Sequence, residues 1–331
     1  MITPIQIGVV PTHIGFVGGL VPEADGKLPR NSAGILKTVA AMRELCEISQ
    51  VKPSCVQISI FSGADTEDVD EMIRELRLLE LEVHFILMVG GVNPMNPDDE
   101  DAVVAQLLPG VQSAVRYGIR HISSTSIEEW MSANETRREG ADFENAVAQN
   151  VKVHQRVYEE AGLADSCVES WHIEFLRPGE FKTFTCVERG WAFVSAANKA
   201  LGKKFFKLLV DAAHCGDSGL SIPENEALIA RMGDADELGI IHASAKTTRG
   251  CCSTDDGWIG AILTAAARTG KLRHVFVEVF DHQDAGLEAL RRMEPGHGVD
   301  TRDGRTYAQV VAYGLGDVSH RLNNLAARGI L

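Results

Sequence analysis

The sequence predicts an α/β fold, a (β/α)8 or TIM barrel that forms a single domain over residues 1–331. Three observations lead to this prediction. Eight short apolar stretches recur along the chain, and a helical pattern of apolar residues follows each of them. Neither a linker nor a break in composition divides the chain. The length suits one large barrel or two smaller domains, and the eightfold alternation favours the barrel.

The predicted strands are rich in β-branched residues and lack strict alternation, as expected for parallel strands buried on both faces. They are residues 5–10, 55–61, 83–89, 119–123, 171–176, 205–211, 239–243 and 275–280. A doubly wound nucleotide-binding sheet is the alternative, and it would carry a glycine-rich phosphate loop after its first strand. Here the first strand runs into Pro11-Thr12-His13-Ile14-Gly15, which has no GxGxxG pattern.

The predicted helices show apolar residues at helical spacing, and most have a recognisable signal at one end. In chain order they are residues 35–48, 66–79 with an acidic first turn, 98–117 after an Asn-Pro pair, 143–161 before a glycine, 191–201 before a glycine, 223–232 with proline in the first turn, 258–269 after two aspartates, and 307–327 before a glycine. We expect Pro109 to kink or split the third helix.

The composition argues against several classes of protein. The net charge of −14 repels phosphate backbones and argues against a nucleic-acid partner. The seven cysteines form neither a CxxC pair nor an even framework, so we expect free thiols in a reducing compartment, the cytoplasm. The N-terminus does not resemble a signal peptide, and no run of about 18 apolar residues predicts a membrane span.

Four polar residues end the last four predicted strands: Glu174, Asp211, His242 and Glu278. Each has an ordinary explanation when taken alone, since an aspartate there often caps the next helix and a histidine is often a bonded core residue. In a barrel, however, the carboxyl ends of the strands meet at one face, where active sites lie. Four ionisable groups gathered there would be costly without a cation. The sequence therefore predicts that these residues bind one divalent metal ion.

The predicted ligand set indicates which metals suit the site. Three carboxylates and one imidazole are harder ligands than the thiolates of structural zinc sites. The set favours Mn²⁺ first, with Mg²⁺, Co²⁺ and Zn²⁺ as alternatives. Open coordination positions would let oxygens of a small-molecule substrate bind directly.

The ordered strand ends resemble the xylose-isomerase-like barrels, which include ketose 3-epimerases, inosose dehydratases and endonuclease IV. In the epimerases the fifth strand ends in a metal-binding glutamate with a second glutamate six residues later, as Glu174 and Glu180 do here. The sixth strand gives Asp-x-x-His, which Asp211 and His214 match.

The resemblance continues on the last two strands. The seventh gives a metal-binding histidine followed by a substrate-binding arginine, which His242 and Arg249 match at a spacing one residue longer. The eighth gives a glutamate that is both ligand and base, which Glu278 matches. The resemblance implies proton abstraction next to the carbonyl of a sugar, with a divalent ion stabilising the enediolate.

Roles for the remaining residues follow from the same resemblance. Glu174 and Glu278 would give or take the proton. Glu180, His214 and Arg249 would form a second ring that binds substrate hydroxyls or orients the ligands.

Two histidines depart from the epimerase pattern. His172 lies two residues before Glu174 and therefore points to the same, inward side of the barrel, where related epimerases carry a small residue. It is either a buried, hydrogen-bonded histidine or an extra acid or base beside the metal. His13, at the end of strand one, faces substrate or caps a turn.

A closer resemblance concerns the α subunits of bacterial C-glycoside deglycosidases. It rests on Val9-Val10-Pro11-Thr12-His13-Ile14-Gly15, on the polar segment 123–130 and on the His172-x-Glu174 pair. It implies that a base such as His172 or Glu278 removes a proton beside the ketone of a 3-oxo-glycoside, and that the aglycone then leaves by β-elimination. It also implies a small β subunit as partner.

We take this elimination as the leading hypothesis and a sugar isomerase or ketose 3-epimerase as the main alternative. An inosose-type dehydratase and a non-catalytic scaffold subunit are further alternatives, and a nuclease is disfavoured because it would need a basic groove. Three long connections, 15–34, 124–142 and 281–305, would build a lid, a roomier pocket or a partner contact. We expect the polar segment 123–130 to be a surface loop.

Overall fold

Eight parallel strands form a closed barrel, and their order around the barrel follows their order in the chain. The computed structural model describes residues 5–11, 18–61, 63–133, 135–246 and 256–331. β1 pairs with β8 from Gln6–His274 to Val10–Glu278, which closes the barrel and confirms the predicted (β/α)8 fold. The strands are β1 (Gln6–Val10), β2 (Cys55–Ser59), β3 (Glu82–Leu87), β4 (His121–Ser124), β5 (Ser170–Glu174), β6 (Phe206–Asp211), β7 (Leu238–Ala243) and β8 (His274–Glu278).

Helices alternate with the strands and cover the outside of the barrel. Among the described residues they are α1 (Lys37–Ile48), α2 (Thr66–Leu78), α3 (Glu100–Tyr117), α4 (Gly140–Glu160), α5 (Val187–Leu201), α6 (Ala212–Asp217), α7 (Ile222–Asp234), α8 (Trp258–Arg268), α9 (Glu288–Met293) and α10 (Tyr307–Ala327). All eight predicted helices are present. The short helices α6 and α9 are not predicted; they lie in the connections that follow β6 and β8, at the carboxyl ends of the strands.

The third helix runs without a break from Glu100 to Tyr117 although it contains Pro109. The expectation that the proline splits the helix is therefore wrong. The proline removes one backbone donor, but buried Val103, Leu107 and Val111 hold the helix against the barrel on both sides of it.

The barrel interior is divided by one apolar layer, which we call the central layer. Its members are Val10, Cys55, Leu209, Ile240 and Phe276. The Phe276 ring lies 5.1 Å from the ring of His84 and 6.2 Å from the ring of His242, measured between ring centroids. Polar side chains therefore occupy the barrel on both sides of the central layer, at its amino-terminal and at its carboxyl-terminal end.

Gly8 makes room for the central layer. A Cβ atom at this position would lie 2.5 Å from Cys55 Sγ and 2.7 Å from Phe276 Cε1. Both distances are far below van der Waals contact, so a larger residue in β1 would push the layer apart.

Within the described part of the chain, each helix is too short or too polar to span a bilayer.

Candidate metal centre and substrate pocket

The four predicted metal ligands meet at the carboxyl-terminal end of the barrel. Glu174, Asp211, His242 and Glu278 end or nearly end β5, β6, β7 and β8, and each offers one ligand atom. These atoms all lie within 4.8 Å of one another, and all four side chains are buried. The convergence follows from the parallel strands, which bring the ends of distant segments to one place.

His242 is oriented by a residue that was not among the predicted site residues. Its Nε2 atom donates to Gln57 Oε1 at 2.8 Å, and Gln57 Nε2 donates in turn to Ser123 Oγ at 2.7 Å. Nε2 therefore carries a proton, and Nδ1 is the nitrogen that faces the carboxylates. Nδ1 lies 3.6 Å from oxygens of both Glu174 and Glu278 and has no hydrogen-bond partner.

Asp211 has two roles at once. Its Oδ1 atom accepts from the backbone N–H groups of Ala213 and His214 and so caps α6. Its Oδ2 atom faces the cluster and lies 3.9 Å from His214 Nε2. Oδ1 therefore acts as the helix cap that an aspartate at a strand end often provides, and Oδ2 is the predicted metal ligand.

The surroundings of the two glutamates shift their pKa values in opposite directions. Burial raises the pKa of Glu278 above its ordinary value, although His242 opposes the shift. Burial alone would raise the pKa of Glu174 as well, but His242 and His214 outweigh it and lower that pKa. The two carboxyl groups on either side of His242 therefore differ in pKa.

The residues fit a divalent cation. Three carboxylates meet His242 in a largely buried space, and a cation would compensate their charge. The orphaned Nδ1 atom of His242 points into the same space. Among the described residues that line the cavity above the cluster, none is lysine or arginine. Oxygen-rich sites of this kind suit Mn²⁺, Mg²⁺ or Co²⁺ better than a structural zinc ion.

A pocket opens directly above the cluster. Its polar part is formed by Gln57, Ser59, Thr125, Glu174, Glu180, His214, Glu278 and His297. Its apolar part is formed by Val10, Pro11, Leu20, Ile86, Met88, Trp130, Leu176, Phe280 and Leu290. Each of the three long connections contributes to this wall, through Leu20, Trp130 and Leu290 respectively.

Two further predicted site residues lie on the pocket wall. His214 Nε2 lies 3.5 Å from Glu174 Oε1, close enough to orient that carboxylate. Glu180 Oε1 accepts from Arg177 Nε at 2.7 Å, and Glu180 Oε2 accepts from Trp130 Nε1 at 3.2 Å. Glu180 is therefore held rigidly at the edge of the pocket, beside the aromatic ring of Trp130.

The structure does not bring His172 to this pocket, which corrects the expectation of an extra acid or base beside the metal. A strand rises about 3.3 Å per residue, so His172 lies a layer below Glu174 although both point inward. Its Nε2 atom bonds to Ser170 Oγ at 2.8 Å, and its Nδ1 atom accepts from the N–H of Ile240 at 3.2 Å. Both bonds hold the ring toward the amino-terminal end of the barrel.

Two predicted substrate-binding residues, His13 and Arg249, lie outside the described residues.

The polar segment 123–130 is not the surface loop that we expected. Ser124, Ser126 and Glu128 are buried, and the Glu128 carboxylate accepts backbone N–H groups of residues 182–184 at 2.7–2.9 Å. The connection after β4 is thereby fixed to the connection after β5, which places Trp130 over the pocket. A carboxylate that caps a distant backbone segment leaves no local signal in the sequence.

Gln57, by contrast, could have been found. It is a lone amide in the apolar strand Cys55–Ser59, and a buried amide requires a specific partner.

The fold is similar to that of solved sugar epimerases. A D-allulose 3-epimerase from Methylomonas sp. has a TM-score of 0.72 at 15% sequence identity, with 96% of this chain and 98% of that chain covered. An L-ribulose 3-epimerase has a TM-score of 0.70 at 15% identity, with 98% and 97% covered. The IOLI protein, solved with a zinc atom, has a TM-score of 0.59 at 12% identity, with 98% and 99% covered.

At the level of sequence, no family model and no curated protein matches this chain. At identities of 12–15% the likeness establishes the fold. The chain therefore shares the barrel architecture of these proteins, and its chemistry has to be argued from its own residues.

Proposed function

We propose that this protein is a divalent-metal-dependent enzyme that moves a proton on a carbon atom next to the carbonyl group of a sugar. The observation that carries the proposal is the meeting of Glu174, Asp211, His242 and Glu278 within 4.8 Å at the floor of a pocket. The fold shared with sugar 3-epimerases supports the isomerase or epimerase class.

These four residues would hold the metal, and Mn²⁺ is our first choice for a set of three carboxylates and one imidazole. When bound, the ion supplies electrostatic stabilisation of negative charge that develops on the carbonyl oxygen. His242 would bind through Nδ1, because Gln57 holds the proton on Nε2.

Proton transfer falls to the two glutamates on either side of His242. One of them would accept the proton from the substrate carbon. The other would return a proton to the opposite face of the same carbon, which fits their positions on either side of His242. Delivery to the opposite face inverts the carbon, and the net reaction is an epimerisation without any change in oxidation state.

Glu180 and His214 would bind substrate hydroxyl groups at the pocket wall. Glu180 lies at the edge of the pocket, where bonds to Arg177 and Trp130 fix its carboxylate. His13 and Arg249 stay predictions for the same role.

A second candidate is the β-eliminative cleavage of a 3-oxo-glycoside, and the apolar wall of the pocket favours it. Leu20, Trp130, Phe280 and Leu290 offer a surface that suits an aromatic aglycone better than a free ketose. A base, Glu174 or Glu278, would take the proton next to the ketone, the bond to the aglycone would break, and the aglycone would leave with a proton. This candidate carries with it the predicted small β subunit.

One experiment separates the two. The protein is stripped of metal, reloaded with Mn²⁺, and incubated in D₂O with free ketoses or with a 3-oxo-glycoside carrying an aromatic aglycone. Metal-dependent deuterium incorporation into a ketose supports the epimerase, and aglycone release supports the lyase. If neither occurs and Glu174→Gln binds metal as the wild type does, the proposal is wrong and a scaffold function takes its place.

A further inference from the structure

A second group of possible ligands lies at the opposite, amino-terminal end of the barrel. We call it the basal cluster, and its members are Glu82, His84, His121 and His274. Three of them are the first residues of β3, β4 and β8, and His84 follows two positions after Glu82 on the same inward face. The barrel register therefore brings them together, as it does the residues at the other end.

The three histidine rings form a compact triangle. Their centroids are 5.0 Å apart for His84 and His121, 4.8 Å for His84 and His274, and 5.0 Å for His121 and His274. Glu82 Oε1 lies 3.6 Å from His84 Nε2 and 3.9 Å from His121 Nε2. Ligand atoms of Glu82, His121 and His274 all lie within 4.8 Å of one another.

His84 is the observation that points to a ligand. Its side chain is fully buried, and neither ring nitrogen has a hydrogen-bond partner. Glu82 Oε1 is also buried without a hydrogen bond. His154, equally buried, shows the usual arrangement, since both of its ring nitrogens are bonded. Unpaired buried polar atoms are costly, and the 3.6 Å between His84 Nε2 and Glu82 Oε1 is too long for a hydrogen bond, so both atoms would gain from a shared cation.

His121 is held in the orientation that metal-binding histidines adopt. Its Nδ1 atom bonds to Ser170 Oγ at 2.8 Å, which leaves Nε2 directed at Glu82. The same hydroxyl receives the Nε2 proton of His172, because His172 Nδ1 accepts from Ile240 N–H. A hydroxyl can accept two such bonds, so His121 can carry its proton on Nδ1 and keep the Nε2 lone pair for a metal.

The cluster is accessible to solvent, since Glu82, His121 and His274 are only partly buried. A cavity of about 340 Å³, lined in part by His121, Ser170 and His274, connects the cluster with solvent. The rim of this cavity carries Lys204, Lys207, Lys271 and Arg273 together with Glu169 and Asp236, and Asp236 pairs with both Lys207 and Lys271.

We propose that Glu82, His121 and His274, with His84 as a fourth donor, bind a second divalent transition-metal ion at the amino-terminal end of the barrel. Imidazole-rich sites with one carboxylate favour Zn²⁺, Co²⁺ or Ni²⁺ over Mn²⁺ and Mg²⁺. Bonds of about 2.0–2.2 Å require the side chains to close by roughly 1 Å. The bound ion joins the starts of β3, β4 and β8, and its role is structural, because the central layer separates it from the pocket.

The test uses the full-length chain with the pocket site disabled by Glu174→Gln and His242→Gln. After dialysis against Zn²⁺ or Co²⁺, this variant is expected to retain one metal equivalent by elemental analysis, and Co²⁺ to show the visible absorption of an imidazole-bound ion. Adding His121→Ala and His274→Ala should remove that equivalent, whereas the exposed control His320→Ala should not.

Two further results decide the proposal if the alanine variants fail to fold. Glu82→Gln keeps the shape of the side chain and should weaken Zn²⁺ binding about 10-fold or more. Conversely, Glu82→Gln in the otherwise intact chain should leave Mn²⁺ binding at the pocket site unchanged. Absence of bound Zn²⁺ and Co²⁺ from the pocket-disabled variant would show that the histidines form a metal-free plug, and equal Zn²⁺ affinity in Glu82→Gln would overturn the proposed ligand set.

Discussion

His242 donates its Nε2 proton to Gln57 Oε1 across a distance of 2.8 Å, and this bond decides which ring nitrogen faces the carboxylates. Gln57 is itself fixed, because its amide donates to Ser123 at 2.7 Å. The tautomer of the ligand histidine therefore depends on a strand that supplies no ligand of its own. Partners of this kind commonly affect metal affinity nearly as much as the ligands do.

The first prediction concerns Gln57→Leu. Loss of the acceptor frees the His242 ring to rotate and to exchange its proton, so we expect Mn²⁺ affinity to fall about 10- to 100-fold while the fold persists. Calorimetric titration with Mn²⁺ measures this, and circular dichroism checks the fold. Unchanged affinity would mean that the Gln57 bond does not set the tautomer. Gln106→Leu on the outer surface is the matched control.

The second prediction concerns the two glutamates proposed to move the proton. Glu174→Gln and Glu278→Gln should each lower the rate of solvent hydrogen exchange into substrate by about 10²- to 10⁴-fold, the usual range for a general acid or base. The measurement is deuterium incorporation by NMR at saturating Mn²⁺. Glu47→Gln, on the exposed face of α1, should leave the rate unchanged. Full activity in either site variant would remove that residue from the mechanism.

The third prediction concerns Glu128, whose carboxylate holds the backbone of residues 182–184. Glu128→Gln replaces one accepting oxygen with a donor that faces other donors, so we expect the free energy of unfolding to fall by about 2 kcal/mol. Urea denaturation gives this value, and Glu129→Gln is the neighbouring control. Because Trp130 follows on the same loop, weaker substrate binding should accompany the loss; a stable variant would contradict the anchoring role.

The fourth prediction is a pH dependence caused by His154. This ring is enclosed by Trp171, Phe193 and Phe206, and burial lowers its pKa to about 4. The unfolded chain, with a pKa near 6.5, binds the proton more readily, so stability is complete above pH 6.5 and is lost as the pH falls toward 4.

The size of this effect can be isolated by comparing two proteins. Between pH 7 and pH 5 the His154 contribution should fall by roughly 2 kcal/mol. His154→Phe cannot titrate, so its unfolding free energy should depend on pH less steeply by that amount, whatever its stability at pH 7. If the unfolding free energies of the two proteins changed equally with pH, His154 would not be the cause of the pH dependence.

Much of the fold was predictable because the relevant signals are local. Helix α10 matches its predicted bounds, since a capping threonine and an apolar stripe mark it. Glu174, Asp211, His242 and Glu278 were found together because a parallel barrel places every strand end at one face.

The errors concern relationships between distant segments. The position of His172 depends on the spacing between successive layers of side chains in the barrel. The orientation of its ring depends on hydrogen bonds to Ser170 and to Ile240 of another strand. The burial of segment 123–130 depends on residues about fifty positions away. Neither relationship has a counterpart in local periodicity.

The central layer has a consequence for isotope experiments. Among the described residues, Val10, Cys55, Leu209, Ile240 and Phe276 form an almost unexposed layer below the glutamates, and the pocket lies above them. Under the proposed function, a proton taken from substrate would therefore exchange with solvent at a rate set by the loops that carry Leu20, Trp130 and Leu290. The fraction of substrate-derived hydrogen retained in the product thus becomes a direct measure of how tightly those loops shut during turnover.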